Sequence, residues 1–268
     1  MDSNLTLQVL ISTMNQKDYS LLEKMNIQSD AVVINQIDKD EVSIFKYKNH
    51  TIKWISMSKR GIGLSRNTAL MNATADIVLF ADDDMVYFDD YSSNVIREFT
   101  KYSKADVMCF NINLVNSVKN TGGHRNNTQN KKLHFFNSMR YGATLIAARR
   151  KALWRERITF SMLFGGGAEF NSGEDSLFIR DCHNAQLRVY SNCYCLGNVD
   201  DSTSSWYKGI DDKFFIDRGR IYASAFPRIY LLIFIYYSKR LSSVYSDYNF
   251  NKIFSLFKKG KKYMKVYR

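Results

Sequence analysis

A short apolar run that ends in three consecutive carboxylates constrains this chain more than any other stretch. Residues Ile77 to Ala81 are all apolar, and Asp82, Asp83 and Asp84 follow directly. The run predicts a buried strand, and because strand side chains alternate, Asp82 and Asp84 are expected on one side and Asp83 on the other. Neighbouring carboxylates stay ionised when a cation lies between them, and carboxylate oxygens suit Mg²⁺ or Mn²⁺. The pattern therefore predicts a divalent cation site, with a solvated acidic turn as the structural alternative.

The N-terminal part of the chain alternates between strand and helix signals. Leu5 to Ile11 and Ala31 to Ile34 read as strands with a helical segment between them, an order that predicts an α/β sheet with parallel strands. In such sheets ligands bind beyond the carboxyl ends of the strands. The polar segments Ser12–Asn15, Asn35–Asp38 and Asp82–Asp84 are therefore expected to lie together at that edge.

A glycine-containing basic segment precedes the strand with the carboxylates. It reads Lys-Arg-Gly-Ile-Gly-Leu-Ser-Arg-Asn over residues 59–67, and Ser65 is a candidate N-cap for a helix that continues to about Ala73. Glycines and cations before a helix N-terminus suit an anion. Arg66 stands where a dinucleotide-binding fingerprint would require its third glycine. Phosphate binding and a simple glycine turn with a helix cap both remain open.

The rest of the chain continues the α/β pattern and ends in helices. Gly165, Gly166 and Gly167 form a glycine-rich stretch, and Glu174 and Asp175 then open an amphipathic helix, where acidic residues also suit the helix dipole. Residues 117–132 are polar and predict a loop. The other predicted elements are strands at 42–47, 52–56, 107–114, 141–149 and 187–195, a helix at 90–102, and helices from Asp211 onward with a break at Pro227.

Composition excludes some classes of protein and leaves others open. The net charge of +12 favours contact with nucleic acid, an anionic membrane or phosphorylated substrates. We expect no nucleic-acid partner, because the cations are not interleaved with an aromatic stacking platform. The four cysteines form no C-x-x-C pair, which argues against structural zinc and suits a reducing compartment.

The C-terminal region raises the question of membrane contact. The apolar run from Ile229 to Tyr237 is too short to span a bilayer of about 30 Å, so we expect a cytoplasmic protein. The tail from Lys258 to Arg268 is basic and follows apolar and aromatic segments. It predicts either a peripheral anchor on the inner face of an anionic membrane or a packed helix with a solvated end.

Taken in order, four segments resemble a family 2 glycosyltransferase with a GT-A fold, over about residues 5–200. They are the first strand with its exit loop, Gly61–Asn67, the strand ending in Asp82–Asp84, and Gly173–Phe178. The resemblance implies an α/β, Rossmann-like mixed sheet flanked by helices, with a C-terminal helical extension. We place the transferase domain at residues 1–208 and the extension, with its basic tail, at 209–268.

The resemblance also implies a reaction: a nucleotide-sugar donor, foremost a UDP-sugar, Mn²⁺ or Mg²⁺, and inversion at the anomeric carbon. It makes Asp84 a metal ligand, with Asp82 at the metal or the ribose, and makes Asp175 the general base, supported by Glu174. The donor-binding positions that it implies are Thr13, Asn15, Asn35, Asp38, Arg66, Asn67, Asp82 and Asp83. The family often has an Asp-rich segment after its second strand, whereas this chain has Asn35-Gln36-Ile37-Asp38, so the choice of base is open.

The acceptor is less constrained than the donor. Acceptors that are usual in the resembled family, together with the basic, aromatic C-terminus, suggest a glycan or lipid-linked acceptor, as in the synthesis of a surface polysaccharide. Trp206 and Gly166 are candidate acceptor contacts. A buried tryptophan is the structural alternative for Trp206.

The proposed reaction also makes chemical sense without the family resemblance. A sugar hydroxyl needs a carboxylate to take its proton, and the leaving diphosphate needs positive charge. A retaining reaction would need a different arrangement.

Two rival functions are a sugar-phosphate nucleotidyltransferase and a non-catalytic glycan or membrane-surface module. A nucleotidyltransferase would require a glycine-rich, basic loop directly after the first strand. Residues 12–17 contain no glycine, which argues against this function.

Overall fold

The computed structural model describes residues 5–115, 126–200 and 210–264, and all structural statements concern these residues. The strands are β1 (Leu7–Met14), β2 (Asp30–Gln36), β3 (Glu41–Tyr47), β4 (His50–Met57), β5 (Ile77–Asp82), β6 (Met85–Tyr87), β7 (Val107–Val115), β8 (Lys131–Lys132), β9 (Ile146–Arg149) and β10 (Val189–Asp200). The helices are α1 (Leu21–Lys24), α2 (Ile62–Asn72), α3 (Tyr91–Lys101), α4 (Phe135–Ser138), α5 (Arg150–Arg155), α6 (Glu174–Asn184), α7 (Asp212–Ala225), α8 (Tyr230–Ser242) and α9 (Phe250–Met264).

One mixed sheet organises the chain, with the strand order β3-β4-β2-β1-β5-β9-β7-β10-β6 and β8 paired to β10. Strand β1 is central and runs parallel to both β2 and β5, as the N-terminal pattern predicts. Its register places Ser12 opposite Asp82 and Thr13 opposite Asn35. The carboxyl ends of these three strands therefore meet at one edge, and the predicted α/β mixed sheet flanked by helices is confirmed.

The main core lies on both faces of the sheet, and an aromatic cluster joins it to the elements near that edge. Phe80 of β5, Phe160 and Phe178 of α6 are fully or almost fully buried. The rings of Phe160 and Phe178 stack with centroids 4.2 Å apart, and Phe80 meets both edge-on. Burying apolar rings of this size is the main favourable contribution to holding α6 against β5.

A second apolar cluster is formed by α7, α8 and α9. It also takes in Phe164, Phe170 and Leu177 from the preceding part of the chain, so the helices pack on the loop before α6. Pro227 lies in the break between α7 and α8, as the sequence predicts. The division at residue 208 falls in a segment outside the described residues and stays a prediction. Within the described residues, no helix has the length and apolar character needed to cross a membrane.

Three local predictions are wrong. Helix α2 begins at Ile62 with Gly61 at its N-cap, so Ser65 is not the cap, and its hydroxyl instead donates to Ser12 Oγ at 2.8 Å. The strand expected at 141–149 is shortened to β9 by a 3₁₀ turn at Ala143–Leu145. Residues 83 and 84 form a turn between β5 and β6, so strand alternation does not govern their directions.

Candidate active site

Arg66 is the centre of a buried ion-pair cluster at the edge described above. It lies in α2, its side chain is 4% exposed, and it donates to Asp82, Glu174 and Asp175. Burial alone would lower the pKa of this guanidinium, but the three carboxylates, led by Asp82, hold that pKa well above its ordinary value. The ring of Phe160 lies 5.2 Å from the guanidinium carbon. Arg66 therefore joins the end of β5 to the start of α6.

The three consecutive carboxylates have different partners. Asp82 accepts from Arg66 Nη2 through both of its oxygens at 3.1 Å, and its side chain is 34% exposed. Asp83 accepts from the hydroxyl of Thr13 at 2.5 Å, which fixes it against the end of β1. Asp84 is half-buried in the turn that leads into β6. Arg66 of α2 therefore orients the carboxylate of Asp82, and Thr13 of β1 orients that of Asp83.

Asp175 lies in the first turn of α6, with its side chain 28% exposed. It accepts from Arg66 Nη1 at 2.8 Å. Burial is the main cause that raises the pKa of this carboxyl to about 7. The positive charge of Arg66 lowers the pKa, and the negative charges of Glu174 and Asp82 raise it further. A carboxylate with a pKa near neutrality that solvent can reach is suited to accept a proton at physiological pH.

Glu174 is held more deeply, between Arg66 and the glycine-rich loop. It is 8% exposed and accepts from Arg66 Nη1 at 3.0 Å. Gly165 has φ +103°, and a Cβ there would lie 2.7 Å from Glu174 Cδ and 2.5 Å from Ile62 Cγ2, so only glycine fits. The carbonyl of Gly166 accepts from the backbone N–H of Ile62 at 2.8 Å. The loop therefore closes the start of α2 against α6, and the acceptor contact expected of Gly166 stays a prediction.

Arg60 gathers two of the predicted donor-binding residues at the open side of the edge. Asn15 has φ +57° and accepts from the Arg60 guanidinium at 3.4 and 3.5 Å, and Asp38 accepts from it at 3.2 Å. All three side chains are accessible, with that of Asp38 93% exposed. A cation among polar groups at the end of β1 and β2 can meet an anionic ligand.

Two other predicted donor-binding residues have their amides engaged by the backbone. Asn35, 1% exposed, both accepts from and donates to the backbone of Gln16 at 3.0 and 2.9 Å. Asn67 does the same with the backbone of Phe160 at 2.8 and 2.9 Å. Both side chains thus hold loops at the edge, and a direct donor contact stays a prediction for each. Beside Asn35, near the end of β2, opens a cavity of about 230 Å³ that is also lined by Tyr19, Lys39 and Trp54.

Sequence reasoning missed the bridging role of Arg66 and the buried Tyr87 of β6, three residues after Asp84. Tyr87 is 2% exposed, and among the described residues its hydroxyl has no hydrogen-bond partner. Burial raises the pKa of the Tyr87 hydroxyl well above its ordinary value, with smaller contributions from Tyr91, Asp82 and Asp84. The Gly61–Asn67 segment marks Arg66 as a donor-binding candidate but gives no sign of its ion pairs with Glu174 and Asp175, and no motif marks Tyr87. Trp206, residues 116–125 and the tail beyond Met264 lie outside the described residues.

The metal-binding capacity of this edge is limited to what the three carboxylates offer. Among the described residues, no group of three or more His, Cys, Asp or Glu side chains has the geometry of a metal site. Mg²⁺ is usually held by one or two carboxylates together with substrate phosphates and water rather than by a complete protein cage. The donor set of this edge fits an ion that arrives with a phosphorylated ligand.

The order of the mixed sheet and the helices on its faces are those of an α/β fold of the GT-A type. A sequence model of the family described as Glycosyl transferase family 2 matches residues 18–157, slightly more than half of the chain, and the protein belongs to this family. The match includes Arg66 and the three carboxylates but ends before Glu174 and Asp175. No curated protein matches the sequence significantly.

Solved structures share the fold at low sequence identity. TarS of S. aureus, residues 1–349 in complex with UDP-GlcNAc, superposes with a TM-score of 0.59 at 16% identity, over 82% of this chain and 66% of that one. The mannosyltransferase PcManGT from Pyrobaculum calidifontis, in complex with GDP-Man and Mn²⁺, gives a TM-score of 0.50 at 13% identity, over 85% and 64%. This chain therefore spans less than two thirds of either structure, and the likeness is one of fold.

Proposed function

We propose that this protein transfers a sugar, with inversion, from a nucleotide-diphosphate donor to a hydroxyl of a glycan or lipid-linked acceptor, and that the reaction uses Mn²⁺ or Mg²⁺. The observation that carries the proposal is the Arg66 cluster. One guanidinium contacts Asp82 at the donor edge and Asp175 at the start of α6. One guanidinium therefore holds the candidate base close to the carboxylates at the end of β5, which supports a direct displacement at this edge.

The cation would be held by Asp84 and, in part, by Asp82. Asp84 is half-buried in the turn that directly follows β5, two residues after Asp82, so its carboxylate lies in the same acidic segment, and the family resemblance makes it the metal ligand. When bound, such an ion offsets the negative charge that develops on the leaving diphosphate. Thr13 and Arg66 orient the flanking carboxylates and so fix the turn that carries Asp84.

Asp175 would take the proton of the acceptor hydroxyl. Its pKa of about 7 makes it a stronger base than an ordinary carboxylate while leaving a large fraction ionised at neutral pH. Glu174 and Arg66 hold it in place and do not need to touch the acceptor. Attack from the Asp175 side, opposite to the diphosphate, would give inversion.

The donor would extend from the cation towards β2. Arg60, with Asn15 and Asp38, offers positive charge beside the diphosphate path, and in the small cavity beside Asn35 the exposed ring of Tyr19 would stack on a nucleobase. Structures of the same fold hold UDP-GlcNAc in one case and GDP-Man in another. We favour a UDP-sugar and an acceptor that belongs to surface polysaccharide synthesis, with the protein in the cytoplasm.

The test is release of nucleotide diphosphate from a panel of UDP- and GDP-sugars with Mn²⁺, Mg²⁺ or EDTA. We expect turnover with one donor that EDTA removes and that added Mn²⁺ restores. Asp84→Asn should weaken Mn²⁺ binding by about tenfold or more, because it removes a charged ligand. Asp247→Asn, an exposed carboxylate in the loop before α9, is the matched control and should behave as wild type. Full turnover in EDTA, or in Asp84→Asn without added metal, would refute the metal assignment.

A further inference from the structure

Helix α8 has two apolar faces, and only one of them is packed. Ile233 and Phe234 are buried, with the Phe234 ring 5.3 Å from that of Phe257 in α9. On the opposite face Leu232, Ile235 and Tyr236 are 65%, 48% and 57% exposed. At 3.6 residues per turn these side chains, together with Leu231, form one continuous apolar stripe along the helix. A stripe of this kind on a surface marks an interaction site.

Cations surround the stripe, and anions are missing from both helices. Arg228 precedes α8, and Lys239 and Arg240 lie exposed in its last turns. Lys261 Nζ of α9 lies 3.4 Å from the ring centroid of Tyr230, which brings the lysine-rich end of α9 beside the start of α8. Neither α8 nor α9 contains Asp or Glu. The stripe therefore has cations at both ends.

We propose that the exposed face of α8 binds the surface of a lipid bilayer with anionic headgroups and that the helix lies in the interface plane. The apolar stripe would enter the boundary between headgroups and acyl chains, while the flanking cations would meet the headgroup phosphates. At 13 residues α8 is about 20 Å long, too short to span a hydrocarbon core of about 30 Å.

Charge decides between this partner and a second copy of the chain. Two α8 faces brought together would oppose like charges at both ends of the contact, which disfavours a symmetric interface. A nucleic acid would satisfy the cations but would leave the aliphatic stripe without a partner. An anionic bilayer satisfies the apolar and the charged groups together.

The helical layer that carries the exposed face of α8 packs against the candidate active site. Gly173, the N-cap of α6, approaches α7 so closely that a Cβ would lie 2.5 Å from Ile221 Cγ1. The helical layer that carries the α8 face thus packs directly on the turn before Asp175. A protein docked through α8 would hold the start of α6, with Asp175, close to the membrane, where the lipid-linked acceptor of the proposed function would be presented.

Vesicle flotation tests the inference without any sugar donor, so its outcome is separate from that of the transfer assay. We expect the full chain to float with vesicles of phosphatidylcholine plus phosphatidylglycerol, to float poorly with phosphatidylcholine alone, and to bind less well at high salt. The double variant Leu232→Gln with Ile235→Gln should bind roughly tenfold more weakly, because it removes two partly inserted aliphatic side chains.

A matched pair of exposed aliphatic residues provides the control. Val42→Gln with Ile44→Gln alters residues that are 59% and 66% exposed on β3, an edge strand of the sheet, and should float as wild type. Lys239→Gln with Arg240→Gln should reduce binding to anionic vesicles only. The inference is overturned if wild type floats with neither vesicle, floats equally with both, or is unaffected by the α8 pair. It is also overturned if sedimentation shows a dimer that the α8 pair separates.

Discussion

Asp175→Asn is expected to reduce sugar transfer by about 10²- to 10⁴-fold, the range that loss of a general base typically causes. The substitution keeps the size and much of the hydrogen bonding of the side chain, so donor binding should persist. The measurements are single-turnover transfer and donor affinity by calorimetry. Equal loss of transfer and donor binding would show that Asp175 supports the structure and is not the base.

The same variant should be more stable than wild type above neutral pH. Asp175 has its pKa raised from an ordinary 3.8 to about 7 in the folded protein, so its ionisation opposes folding increasingly as the pH rises through that interval. The amide removes this cost. Thermal melts should therefore give a higher Tm for Asp175→Asn above pH 7 and no difference below the ordinary carboxyl pKa. A lower Tm at high pH would mean that the pairing with Arg66 outweighs burial.

Arg66→Met is expected to lower the free energy of unfolding by about 3–5 kcal/mol, because it leaves three carboxylates clustered without their cation. Methionine keeps the packing against Phe160, so most of the loss is electrostatic. Urea denaturation monitored by tryptophan fluorescence measures it. The deficit should shrink as the pH falls, because protonation of Asp175 relieves the repulsion, and should grow as the pH rises.

Arg155→Met is the control for Arg66→Met. Arg155 also pairs with a carboxylate, Glu156 at 2.6 Å, but its side chain is 65% exposed. Exposed pairs contribute about 0–1 kcal/mol. Equal losses in the two variants, or a pH-independent loss at Arg66, would contradict the account of a carboxylate cluster held by one guanidinium.

Local pattern was sufficient to predict the parallel part of the sheet and its functional edge. The apolar run before Asp82 and the strand–helix–strand opening predict β1, β2 and β5 within a few residues, because each strand is buried and bounded by polar residues. The helices after Asp211 and the break at Pro227 are confirmed for the same reason. The family resemblance supplied what pattern alone could not, the fold type and the class of reaction.

The remaining features depend on contacts between distant segments. Serine is a residue type that often caps helices, which is why Ser65 is predicted as the N-cap. Helix α2 instead begins about one turn earlier, at Ile62, whose backbone N–H donates to the distant Gly166 carbonyl. Strand β6 has only three residues and exists because β10 pairs with it. The amides of Asn35 and Asn67, whose predicted donor contacts stay predictions, also hold distant backbone segments, and the sequence does not indicate this second role. None of these pairings leaves a periodic signal in the chain.

The measurement that tests the central claim most directly is a crystal structure of the protein with Mn²⁺ and a non-hydrolysable UDP-sugar. We predict that the ion contacts Asp84 and the diphosphate, and that the Asp175 carboxylate faces the anomeric carbon on the side opposite to the diphosphate. A donor bound with its anomeric carbon turned away from Asp175, or a cation held away from Asp84, would contradict the account.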